Sequence, residues 1–115
     1  MATEIRLNLP DGRVACERCL VAARPLRRMR GLLGRRDLPH GEGVLLRPAA
    51  SIHTLFMRFP IDAVFLDGDG VVLGIERDLR PWRVAGCKRA RAVLELAAGE
   101  CERRGIVSGE RLVTA

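Results

Sequence analysis

The sequence predicts a mostly-β domain, a compact β-sandwich or barrel-like unit with one or two short helices. Many short apolar segments alternate with Gly- and Pro-rich turns, and helical stripes are too few to cover both faces of a parallel sheet. Residues 1–115 read as a single domain. The length is close to the commonest domain size, and no repeat or Ser/Gly/Pro linker divides the chain. A content of 48% hydrophobic and 30% charged residues matches a folded globular protein rather than a disordered one. Aromatics are confined to Phe56, Phe59, Phe65 and Trp82, so Val, Leu, Ile and Ala must build the core.

Taken in order, Glu4 to Leu9 alternates, with Ile5, Leu7 and Leu9 on one face of a strand. Pro10-Asp11-Gly12-Arg13 supplies turn chemistry, and Val14 to Ala22 returns as the second strand of a hairpin. Pro25 suits a first helical turn, and Leu26, Met29 and Leu33 follow as an apolar stripe; Gly31 and Gly34 keep this helix short. Leu38 to Gly43 is a loop, and Val44 to Leu46 a brief strand ended by Pro48.

Ser51 to Met57 and Ile61 to Leu66 read as strands. Asp67-Gly68-Asp69-Gly70 is a hairpin turn that sends Val71 to Ile75 back along the second of them. Asp78 to Gly86 is a long loop. Ala92 to Ala97 is a strand by pattern, although propensity alone allows a helix over Ala90 to Ala98. A helical turn from Glu100 to Arg104 stops at Gly105, and Leu112-Val113 is a last strand.

No apolar run approaches the roughly 20 residues a membrane-spanning helix needs. Glu4, Arg6 and Asn8 interrupt any signal-like stretch at the start. A cytoplasmic location is the expectation, where thiols stay reduced. Cys16, Cys19, Cys87 and Cys101 then read as free thiols or ligands rather than a disulfide framework. The net charge of +6 raises nucleic acid as a partner. Lys88, however, is the single lysine, and an arginine-rich coding bias produces the same charge without a functional demand.

Cys16-Glu17-Arg18-Cys19 has the spacing of zinc and redox motifs, but Cys87 and Cys101 form no second knuckle, and the pair sits inside a strand. Core packing is the reading for these thiols. Asp67 to Gly70 resembles the start of a calcium loop, yet the strand-like Val71-Val72 follows and no Glu stands at the twelfth position. No metal or cofactor is implied. Arg24, Arg27, Arg28, Arg30, Arg35 and Arg36 crowd one segment, the ordinary pattern of a solvated helix face. Arg30 differs: it borders the apolar stripe, where a guanidinium requires a carboxylate. This segment offers no exposed aromatic on which a single strand could stack.

The segment from Ser51 to Asp62 is the most informative. His53, Leu55 and Met57 share one face of the first strand, and Asp62, Val64 and Leu66 share one face of the next. His53 and Asp62, polar residues opening apolar strands, read either as a buried hydrogen-bonded pair or as part of a site, His as acid/base and Asp as its orienter.

These residues also carry a resemblance. Arg28-Met29-Arg30-Gly31-Leu32-Leu33-Gly34-Arg35, Gly43-Val44-Leu45-Leu46-Arg47-Pro48, His53-Thr54, Met57, Pro60-Ile61-Asp62, Phe65-Leu66-Asp67, Gly70 and Val72 fall in order. Val93-Leu94-Glu95-Leu96, Gly99, Gly105-Ile106 and Gly109-Glu110 with Leu112 complete the series. From about Leu20 to Leu112 the chain resembles the domain of unknown function 192 family. The resemblance implies a β-sandwich or barrel-like fold, makes Ala92 to Ala97 a strand, and implies no activity.

The expected function is that of a non-enzymatic binding module. Arg30, His53, Met57, Asp62 and Glu95 would line a pocket for a small anionic ligand or a peptide, with Arg30 clamping the anion. Two alternatives stand beside it: a hydrolase or lyase that uses His53 and Asp62, and nucleic-acid contact through basic surface.

Overall fold

A computed structural model describes residues 3–22 and 37–114. In chain order they form β1 (Thr3–Asn8), β2 (Val14–Ala22), β3 (Glu42–Leu46), β4 (Ser51–His53), β5 (Ile61–Leu66), β6 (Val72–Leu79), β7 (Val84–Gly86), β8 (Ala92–Ala97), helix α1 (Glu100–Arg104) and β9 (Val113–Thr114). Seven strands make one sheet in the order β6-β5-β8-β3-β2-β1-β9, and β4 pairs with β7 alone. Every pairing in the large sheet is antiparallel except β2 with β3.

Hydrophobic alternation positions the two faces. Along β5, Val64 and Leu66 join a cluster with Leu94, Leu96, Leu9, Cys101 and Ile106, while Ile61, Ala63 and Phe65 join a second with Val93, Val44, Met57 and Phe59. All six residues of β5 are buried, so this strand, next to the β6 edge, is covered on both sides. The β4–β7 ribbon supplies Ile52 to the second cluster, and Ala85 packs against it. Each large aliphatic side chain buried this way contributes about 2 kcal/mol.

The sheet curls on itself. Val72 donates its N–H to Glu110 O (2.8 Å), Gly109 to Val72 O (2.8 Å) and Leu112 to Gly70 O (2.9 Å). Val71 bridges Arg111, and the chain then enters β9 at the far edge, beside β1. The β6 edge and the β9 edge are thus joined by one short stretch of chain, giving a half-barrel. Gly70 permits this approach. It has φ +84°, and a Cβ there would lie 2.6 Å from the Leu112 carbonyl oxygen.

Most predicted elements are present, with four differences. The strand predicted to reach Met57 ends at His53, because Thr54 turns its hydrogen bonds toward the 80–83 loop and Phe56 takes a left-handed conformation (φ 66°). The loop predicted over Asp78 to Gly86 contains β7, which pairs with β4. The strand after the Asp67–Gly70 turn continues to Leu79, and β3 starts at Glu42. The helix predicted from Pro25 lies outside the described residues.

Gly70→Ala should lower stability by about 2 kcal/mol or more, read as a fall in the urea midpoint. Gly74→Ala is the control: its new Cβ would meet nothing within 4 Å, so it should be neutral or slightly stabilising. Equal losses at the two positions would refute the role given to Gly70.

Candidate functional site

Asp62 is 1% exposed and serves the backbone. Its Oδ1 accepts the Asp78 N–H (2.9 Å), and its Oδ2 accepts those of Gly99 and Cys101 (both 3.1 Å). The first bond holds the left-handed turn at Asp78 (φ 51°), and the other two satisfy N–H groups at the start of α1 that no helical carbonyl can reach. The Pro60-Ile61-Asp62 motif therefore supplies a staple between β5, the end of β6 and the helix.

Of the residues expected to share a pocket, Asp62 and Glu95 lie on opposite faces of the sheet. Asp62 pairs in register with Leu96 and Ala63 with Glu95. Asp62 thus lies on the inner face with Val64, while Glu95 lies on the outer face between Val93 and Ala97. Met57 is buried in that outer cluster, and His53 is half-buried at the end of β4. Arg30 lies outside the described residues. The period of two along each strand was readable in advance; the register that sets Asp62 opposite Leu96 was not.

Glu95 is completely buried on the outer face. Glu100, at 2% exposure, is the other buried glutamate. Its carboxylate accepts Arg103 Nε (2.6 Å) and Nη2 (3.0 Å) and Arg104 Nε (3.3 Å), and His40 Nδ1 stands 3.1 Å away. The Arg103 guanidinium, with Arg104 beside it, holds the Glu100 carboxyl down at about 2. Arg104 continues to Glu17 (2.9 Å) and to the Val14 carbonyl (2.8 Å), tying the helix to β2. Arg13 reaches the Arg104 and Gly105 carbonyls from the first turn. Sequence reading missed this network; its one sequence signal is the Glu-x-x-Arg-Arg spacing of residues 100–104.

The four thiols are free and three are fully buried. Between Ile5 and Leu7 of β1, β2 advances from Cys19 to Cys16, one residue more, and this bulge lets both sulfurs enter the inner cluster. The neighbouring thiol lowers the pKa of Cys16 and, with burial, raises that of Cys19. Burial, with Asp62 adjacent, pushes Cys101 up to about 12. Among the described residues no group of three or more His, Cys, Asp or Glu side chains is placed to hold a metal ion.

A cleft of about 250 Å³ opens at one end of the half-barrel. Leu7, Leu45, Leu66, Ala92 and Leu112 of the inner cluster form its apolar lining. Arg47, just after β3, and Arg91, just before β8, stand at its rim with the Asp67–Gly70 turn. The Asp67 carboxylate is occupied by the Asp69 and Val71 N–H groups (2.8 and 3.0 Å), which hold its pKa below the ordinary range. The guanidinium groups of Arg47 and Arg91 make no ion pair with a described residue.

The profile of the domain of unknown function 192 family (DUF192, an uncharacterized ACR) matches residues 8–114. The chain belongs to the DUF192 family. A crystal structure of a candidate transcription regulator from Sinorhizobium meliloti is similar over 99% of this chain and 94% of its own, with a TM-score of 0.84 and 26% identity. A protein of unknown function from Novosphingobium aromaticivorans matches 97% of this chain and 84% of its own, with a TM-score of 0.81 and 23% identity, and so shares the fold. No curated protein matches the chain. Several positions of the DUF192 pattern coincide with the supports described above: Asp62 staples the helix, Gly70 and Gly109 take part in the closure, and Gly105 ends α1 in a left-handed conformation. No helix among the described residues is long and apolar enough to cross a membrane.

Asp62→Ala strips three N–H groups of their acceptor and should cost about 3 kcal/mol or more, measured by chemical denaturation. A loss under about 1 kcal/mol would show that the staple is dispensable. Glu100 has a folded-state pKa below its unfolded value, so its stabilisation is complete above about pH 4.5 and is lost as pH falls toward 2. Glu100→Gln should remove about 2 kcal/mol at neutral pH, discounted for the exposed Arg103, and should flatten the stability–pH curve in that window. An unchanged acid limb in the variant would contradict the assignment.

Proposed function

We propose that this DUF192 protein is a non-enzymatic binding module for a small anionic ligand, held in the cleft at the mouth of the half-barrel. The observation that carries the reading is the pair of rim arginines, Arg47 and Arg91, above an apolar lining, neither paired with a carboxylate of a described residue. An apolar cavity with a few convergent polar groups is the ordinary form of a small-molecule site, and guanidinium groups suit carboxylate or phosphate. The Asp67 carboxylate does not compete for these arginines, because its own turn occupies it.

The commitment of Asp62 to three backbone N–H groups supports binding over the hydrolase or lyase alternative, which needs Asp62 to orient His53.

Inorganic pyrophosphate and citrate serve as probes in thermal-shift titrations. Either should raise Tm by several degrees at saturating concentration, since a ligand that binds only the folded state stabilises it. The Arg47→Ala/Arg91→Ala double variant should lose the shift. An equal shift in the double variant would place binding elsewhere, and a shift with neither anion would remove support for this cleft.

A further inference from the structure

A second surface, sharing no residue with the cleft, is built on two loops joined at Thr54. This residue is completely buried. Its hydroxyl donates to the Arg80 carbonyl (2.6 Å) and accepts the Arg83 N–H (2.9 Å); its own N–H donates to Arg83 O (2.8 Å), and its carbonyl accepts Trp82 N–H (3.0 Å) and Met57 N–H (3.2 Å). The two loops are therefore locked to one another.

What they carry is unusual for this chain. Of four aromatic residues, two are turned outward: Phe56 is 60% and Trp82 56% exposed. Both occupy the left-handed region, at φ 66° and 65°, where a bulky side chain is strained. Their ring centroids are 4.6 Å apart at an interplanar angle of 60°. Two aromatic rings that the core could have used are thus held in solvent at a conformational cost. Around them in the same loops stand Arg58, Arg80 and Arg83, all exposed, and the one acidic partner is Asp78, 4.0 Å from Arg80 Nε.

We propose that Phe56 and Trp82, flanked by Arg58, Arg80 and Arg83, form a docking platform for single-stranded nucleic acid. Unpaired bases stack on the rings while the guanidinium groups meet the phosphates. The charge complementarity is one-sided, three arginines against one aspartate, in a protein of net charge +6. The apolar part of the surface is small. Val84, the first residue of β7, is the one other large exposed hydrophobic next to these loops, and the patch is far short of the roughly 800 Å² per side that a stable protein interface buries. Base stacking needs only ring faces, and a duplex keeps its base faces covered, which selects the single strand.

Trp82 is the only tryptophan, so its fluorescence reports directly on stacking. Titration with oligo(dT) of about 12 nucleotides, within the span of known single-strand sites, should quench it saturably. The affinity should fall with salt at a log–log slope of about 2, as expected for three phosphate contacts, and Arg83→Ala should lower that slope by about 0.7. Phe56→Ala should weaken binding roughly tenfold. Phe56→Gly, which removes the ring and relieves the backbone, should do the same while keeping or raising Tm. Oligo(dT) binding without quenching, or with unchanged affinity in both Phe56 variants, would overturn the proposal in favour of charge-only contact elsewhere. Quenching by poly-glutamate but not by oligo(dT) would overturn it in favour of an acidic protein partner, and quenching by neither would overturn it outright. The Arg47→Ala/Arg91→Ala variant should bind oligo(dT) like the parent, which keeps this result separate from the anion cleft.

Discussion

One carboxylate ties together the parts of this fold that would otherwise diverge. Asp62 sits in a strand that is buried on both faces, and its two oxygens accept N–H groups from the end of β6, from Gly99 and from the first turn of α1. A five-residue helix has no cooperative stability of its own. It persists because Asp62 satisfies its start, Gly105 closes its end, and Cys101 and Ile106 pack into the inner cluster. A charge buried beside Val64 is tolerable only with such donors, so the staple and the helix require each other.

The same economy governs the closure of the sheet. The β6 edge would expose unpaired backbone, yet the 109–112 segment pairs with its beginning and carries the chain to the opposite edge. This curl creates the inner cluster, and its open end becomes the cleft under Arg47 and Arg91. The cleft and the fold are therefore built from the same strand ends. The Arg–Glu network of α1 sits apart from the cleft and anchors the helix to β2, so the many arginines of this chain serve at least two purposes.

Much of the architecture could be read in advance where the signal is local. The hairpin β1–β2 announced itself through Pro10-Asp11-Gly12 between alternating strands, and β5 with its turn through Asp67-Gly68-Asp69-Gly70. The stop at Gly105 followed from its freedom to adopt positive φ. The strand beyond His53 and the loop holding β7 were misjudged for one shared reason. Ile52 to Met57 has the composition of a strand, but Thr54 forms its bonds with residues 26 to 29 positions away, and no local pattern announces that partner.

The candidate site divides along the same line. Residue type by itself marked Asp62 and His53 as polar intrusions in apolar strands, and that much was determined by the sequence. Which of them face one another depends on strand register, and a shift of one residue exchanges the faces. Only the tertiary structure decided that Asp62 looks inward to the helix and Glu95 outward, and that a bulge brings Cys16 and Cys19 together. It alone set Phe56 and Trp82 side by side in solvent. The mostly-β class follows from periodicity, which each short segment carries within itself; the chemistry follows from pairings across the chain, which no segment carries alone.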